Sequence, residues 1–231
     1  MWRERLKSIL RGPGSSAEAR PAVNHASRSR FGAKSGERET FHTRPSRGLE
    51  QFFGSFRDQA GLAILDLGGA SQENVNFITS LGHKFYSEDF LRIFHETFGD
   101  DTAAQTNPGR IEHFLQQSLD YPDEHFDGVL AWDVLEYMEP PLLLATVDRL
   151  TRILKPRGYL LAFFQSVDRQ AAMSHYTFRI QDLRTLQVGQ CGDRAAAQQF
   201  NNRSLEKLFQ KFESVKFFLT RERLREVIVR R

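Results

Sequence analysis

Only one cysteine, Cys191, is present. No disulfide can form within the chain, and a reducing, cytoplasmic setting is expected. No run approaches the roughly 20 apolar residues of a membrane-spanning helix, and the start lacks the apolar core of a signal peptide. The seven histidines are scattered. None stands with Cys, Glu or another His at metal-ligand spacing, so no metal site is expected. Two nucleotide signatures are missing as well. No G-x-G-x-x-G follows an apolar run, and no glycine loop ends in Gly-Lys-Ser/Thr, so neither a dinucleotide fingerprint nor a P-loop is indicated. No internal repeat is present.

What the chain does have is material for a core: 40% hydrophobic residues, including twenty phenylalanines. Its charge is uneven. Residues 1–47 hold eleven Lys and Arg against four Glu, whereas the other 184 residues hold 21 basic against 25 acidic groups. The basic character therefore belongs to the N-terminal stretch. Residues 12–47, rich in Gly, Ser, Arg, Pro and Ala, have too little apolar periodicity to offset ordering entropy. Residues 1–47 are accordingly expected to be a basic, largely disordered tail, and 48–231 a folded domain. Trp2, Leu6, Ile9 and Leu10 alternate with Arg3, Arg5, Lys7 and Arg11. This pattern suits either a frayed terminus or a short amphipathic helix meeting an anionic surface, a nucleic acid or a partner.

From residue 48 the pattern alternates strand and helix. Leu49, Phe52, Phe53 and Phe56 suggest a lead-in helix, and Leu62–Leu67 a first buried strand. Val75, Ile78 and Leu81 then recur at helical spacing, with Ser71 as N-cap and Gly82 as stop. Lys84–Ser87 reads as a second strand and Phe90–Phe98 as a helix. Ile111–Gln116 reads as a third strand, and Val129–Trp132 as a fourth. Pro140-Pro141 opens a helix, and Tyr159–Phe164 is a fifth strand. Tyr176, Phe178 and Ile180 alternate as in a strand, and Gly189–Gln199 reads as a loop. The region 165–200 is placed where a substrate lid would form. A helix at Asn202–Phe212 and a hairpin of Val215–Thr220 with Glu226–Arg230 end the chain. Alternation of this kind implies a parallel sheet with right-handed crossovers.

Chemistry concentrates at the carboxyl ends of the first strands, where open α/β sheets bind ligands. Ala63-Ile64-Leu65-Asp66 runs into Leu67-Gly68-Gly69-Ala70-Ser71, a turn whose small residues let backbone N–H groups approach a ligand. Asp89 follows Gly68 by about 20 residues, the position from which an acid accepts both hydroxyls of an adenosine ribose. Glu88 is the adjacent alternative. The pair also suits a plain helix N-cap.

Five segments now stand in order: Leu65-Asp66-Leu67-Gly68-Gly69, Glu88-Asp89, Phe126-Asp127-Gly128-Val129-Leu130, Asp133-Val134-Leu135-Glu136-Tyr137 and Leu154-Lys155-Pro156-Arg157-Gly158. The set resembles class I S-adenosylmethionine-dependent methyltransferases over residues 60–165. The resemblance implies a three-layer, Rossmann-like α/β fold. Its sheet would have seven mostly parallel strands and end in an antiparallel hairpin. It also implies S-adenosylmethionine as cofactor. Asp66 would then lie near the cofactor's methionine amino group, and Gly68, Gly69 and Ala70 would line it with backbone. Asp89 or Glu88 would hold the ribose. Gln117 and Ser118 would flank the adenine, and Ala131 and Trp132 would border the cofactor on the substrate side, Trp132 having plain core as its alternative. The chain departs from the family at Ala70 and Gln72, which replace glycines, at Gln117-Ser118, which replaces an adenine-edge acid, and at Tyr137, where histidine is frequent.

Methyl transfer needs chiefly an aligned nucleophile, sometimes with a general base. Asp133, Glu136, Tyr137 and His175 are the candidates, though each suits a structural role and no catalytic residue is assigned. The expected function is methyl transfer to an unidentified small molecule. The alternative is a catalytically degenerate scaffold acting as an interaction module. RNA methylation using the basic tail is a third reading, disfavoured by the negative balance of the folded part.

Overall fold

The computed structural model describes residues 41–165, 173–194, 197–220 and 224–231. The amphipathic segment at residues 2–11 lies outside them, as do residues 12–40 of the basic tail. Ordered structure begins ahead of residue 48. Strand β1 is Phe41–Pro45 and helix α1 is Arg47–Gly54, capped by the Ser46 hydroxyl accepting the Leu49 N–H at 3.1 Å. There follow β2 (Ala63–Asp66), α2 (Gln72–Ser80), β3 (Lys84–Ser87), α3 (Phe90–Phe98), α4 (Pro108–Ser118), β4 (Phe126–Trp132), α5 (Pro140–Ile153), β5 (Leu154–Gln165), β6 (Met173–Asp182), β7 (Thr185–Arg194), α6 (Asn202–Leu208), β8 (Ser214–Leu219) and β9 (Leu224–Arg230).

The main sheet has the order β3-β2-β4-β5-β9-β8. The first four strands are parallel, and β9 runs antiparallel to both β5 and β8. The Rossmann-like architecture and the terminal hairpin are as the sequence implies, but among the described residues the strands of this sheet number six. The missing one is the expected third strand: Ile111–Gln116 lies inside α4. Asn107 caps that helix, Pro108 sits in its first turn, and Ile111 and Phe114 bury one face while Glu112, His113 and Gln116 stay exposed. The apolar spacing there is three and a half, not two. As a result β3 is the edge of the sheet.

Period-two alternation sends neighbouring residues to opposite faces. Leu65, Val129, Leu160 and Phe164 pack under α3, α4, α5 and α6. Ile64, Leu130, Trp132, Leu161 and Phe163 face α1 and Ile78 of α2. The second face carries one further layer. Strands β1, β7 and β6 form a separate antiparallel sheet, whose Phe178, Ile180, Leu186 and Val188 join that core. Much of the expected loop at Gly189–Gln199 is therefore strand, since β7 reaches Arg194 in register with β6. Among the described residues, no helix is long and apolar enough to cross a membrane.

Candidate functional site

Asp66 ends β2 and is wholly buried. Its Oδ1 accepts the Gly68 N–H at 2.8 Å and the Trp132 indole N–H at 2.6 Å. Its Oδ2 accepts an Asn74 amide hydrogen at 2.8 Å. Burial pushes the carboxyl up to about 6, against the pull of these donors, Trp132 first. Asn74 is held from the other side as well. It donates to the Phe178 carbonyl at 3.2 Å and accepts the Ile180 N–H at 2.7 Å, so its side chain bonds the backbone of β6. Trp132 completes the group. Its ring stacks on Phe178, centroids 5.1 Å apart and 7° from parallel, and meets Phe163 edge-on. Its backbone is left-handed, φ 49°, a strained state for a bulky residue. The indole lies against the turn: a Cβ on Gly68 would come within 2.8 Å of Trp132 Cδ1.

The other end of the turn is different. Gly69 takes φ 82° and gives its N–H to the Glu88 carbonyl at 3.0 Å, fastening the turn to the end of β3. Gly68 and Ala70 are exposed. Asp89 caps α3 through long contacts only, 3.3 Å from both the Arg92 N–H and its Nε, and its side chain is 38% exposed. The neighbouring Glu88 accepts the Tyr121 hydroxyl. Burial and the Glu88 charge push Tyr121 well above its usual value, so it remains a donor. Gln72 is exposed, and its amide reaches along α2 to Asn76 at 2.7 Å.

The structure thus brings Asp66, Gly68 and Trp132 together, and places Gly69 between them and the Glu88-Asp89 pair. The remaining sequence candidates lie otherwise. Ala131 packs in the core under the helices. Gln117 is exposed at the end of α4, and the Ser118 hydroxyl is spent on the Phe114 carbonyl at 2.7 Å. The sequence pointed to neither Asn74 nor Phe178, because their roles arise across 104 positions of chain. Tyr121 was missed for the same reason.

A second group gathers after β4. Tyr137 donates to Asp133 Oδ2 at 2.9 Å, and the Tyr137 and His175 rings lie 6.0 Å apart. Glu136 accepts the Gln165 N–H, while its Oε2 is buried with no hydrogen-bond partner among the described residues. Burial, reinforced by Asp133, raises Glu136 well above the usual carboxylate range. Among the described residues, no group of three or more His, Cys, Asp or Glu is arranged to hold a metal ion.

Apart from the one edge strand replaced by helix, a sheet of this order, with a small-residue turn after its first parallel strand and an acid after the next, fits the plan of a class I methyltransferase. The family model for a methyltransferase domain matches residues 37–213, and the chain belongs to that family, whose cofactor is S-adenosylmethionine. No curated protein matches the chain. Solved structures similar to it include a Burkholderia thailandensis 1,6-didemethyltoxoflavin-N1-methyltransferase with bound S-adenosylhomocysteine. It is 12% identical, with 80% of this chain and 76% of that one covered and a TM-score of 0.46. An S-adenosylmethionine-dependent methyltransferase from Methanosarcina mazei is 18% identical, at 78% and 96% coverage and a TM-score of 0.45. One from Aquifex aeolicus is 12% identical, at 79% and 88% coverage and a TM-score of 0.43.

Proposed function

We propose that the chain is an S-adenosylmethionine-dependent methyltransferase acting on a small-molecule acceptor. The observation that carries this reading is the exposed turn Gly68–Ala70 beside the accessible carboxylate of Asp89, both at the carboxyl ends of adjacent parallel strands. The residues fit the cofactor unequally. On the nucleoside side, Asp89 has acceptor capacity left for two ribose hydroxyls, and Gly69 keeps the backbone low beside it. Gln72, turned along its helix, does not fill the turn. On the amino-acid side, Asp66 already accepts three N–H groups and is buried.

The cofactor, when bound, supplies an electrophilic methyl group, so the protein's work is alignment and proton removal. Asp133 and Tyr137, hydrogen-bonded to each other after β4 and buried, are the candidates to orient an acceptor hydroxyl or amine once the segment over them is displaced. Glu136, raised by burial, holds its own proton to a higher pH than an ordinary carboxylate.

Titration of the full-length protein with S-adenosylmethionine and S-adenosylhomocysteine tests the reading. Micromolar binding that is weakened in Asp89→Ala supports it. No binding at millimolar ligand favours the second reading, an interaction module on the same scaffold. The closed group around Asp66 and Trp132 is the specific observation behind that second reading.

A further inference from the structure

We infer that Asp66 is a clasp between the glycine turn and the second sheet, and that an S-adenosyl ligand is recognised here by its nucleoside half and not by an ammonium contact to Asp66. The inference rests on the cofactor reading above and sharpens it. A carboxylate has about four lone-pair positions. At Asp66 three are filled by N–H donors within 2.8 Å, and no surface of the residue reaches solvent. The one remaining position, on Oδ2, is sealed from solvent, so an incoming ammonium group reaches the carboxylate only by parting the residues packed over it.

None of the three donors is free to leave. Gly68 N–H belongs to the turn itself. The indole of Trp132 is fixed between Phe178, Phe163 and Gly68. The Asn74 amide also bonds Phe178 and Ile180, so releasing Asp66 would loosen β6. Freeing the carboxylate therefore breaks several buried, charge-assisted bonds together, each among the stronger kinds. Asp89, by contrast, would give up only contacts of 3.3 Å, in a side chain that water already reaches. The site defined in this way is anchored by a ribose at Asp89, and a zwitterionic tail gains no charge-assisted contact from Asp66.

Calorimetry of the full-length protein with S-adenosylhomocysteine and with 5′-methylthioadenosine, which lacks the amino-acid tail, tests this directly. The expected dissociation constants agree within about threefold, since the charge-assisted contact that would separate them by about tenfold or more is missing. Asp89→Ala should weaken both ligands by the same factor. In a Trp2→Phe protein, where Trp132 is the sole tryptophan, its emission should stay that of a buried indole when either ligand binds. Binding of S-adenosylhomocysteine more than about tenfold tighter than 5′-methylthioadenosine would overturn the inference and leave the cofactor reading intact. Silence of both ligands at millimolar concentration would overturn the cofactor reading, and the inference with it.

Discussion

Asp66 and Asp89 are the same residue type at the carboxyl ends of two adjacent parallel strands, and they do opposite things. Asp66 is sealed, accepts three N–H groups and has its proton affinity raised. Asp89 is 38% exposed and makes only 3.3 Å contacts. What separates them is the next layer. β6 lies over the end of β2 through Asn74 and the Phe178–Trp132 stack, whereas β3 is the sheet edge. An acid at a strand end is thus a binding residue or a structural one according to what a distant segment lays upon it.

The largest effect that would break this contrast is at Trp132. Trp132→Ala removes a fully buried ring that spans both sheets and should cost about 3–5 kcal/mol, read as a lower urea midpoint. Asp66→Asn comes next. Its new amide would set a donor against Asn74, which cannot turn over because Ile180 N–H needs its oxygen. A loss of about 3 kcal/mol is expected at pH 7.

The same carboxyl gives the folded state a pH signature. Its value of about 6 lies above the ordinary 3.8, so the folded chain binds the extra proton between those limits. Stability from this group is complete below pH ~4 and is lost as pH rises through ~6, by about 3 kcal/mol. Glu136, also raised, acts in the same direction. Unfolding midpoints in urea should therefore fall from pH 5 to pH 7.5, less steeply in Glu136→Gln. A midpoint that does not fall over that range would mean that Asp66 is ionised throughout, as its donors alone would make it.

Much of the fold was legible because its signals are local. Ser71 caps α2 as expected, and the continuous apolar runs Val129–Trp132 and Tyr159–Phe164 mark buried strands. The reading failed at Ile111–Gln116, where Leu115 beside Phe114 extends an apolar run and disguises helical spacing that the Asn107-Pro108 cap announces. The turn and both acids were legible from order and spacing. Their environments were not, because Phe178 reaches Trp132 only after the chain has built two further strands. Gly68 illustrates the limit. Its smallness suits a ligand's approach, yet in the fold the group that needs it small is an indole.

That assignment sets a smaller, sharper test. Gly68→Ala, with a Cβ 2.8 Å from Trp132 Cδ1, should cost about 1–3 kcal/mol through overpacking. In a Trp132→Leu background the cost should drop below about 1 kcal/mol, a coupling read from a double-mutant cycle. Equal costs in the two backgrounds would mean that the turn, and not the indole, demands glycine.

Asp89→Ala should disturb the fold least. It removes a long cap bond and an exposed ion pair to Arg92, together about 1 kcal/mol or less. Its effect on binding should run the other way. Loss of an acceptor for two ribose hydroxyls should weaken S-adenosylhomocysteine by about tenfold or more. Glu88→Ala should weaken it less, because the Glu88 carboxylate is engaged by Tyr121. The variant with the smallest change in urea midpoint would then show the largest change in ligand affinity. That inversion separates a residue kept for binding from one kept for folding. If Asp89→Ala titrates like the unaltered protein, the ribose role fails, and Asp89, like Asp66, belongs to the architecture.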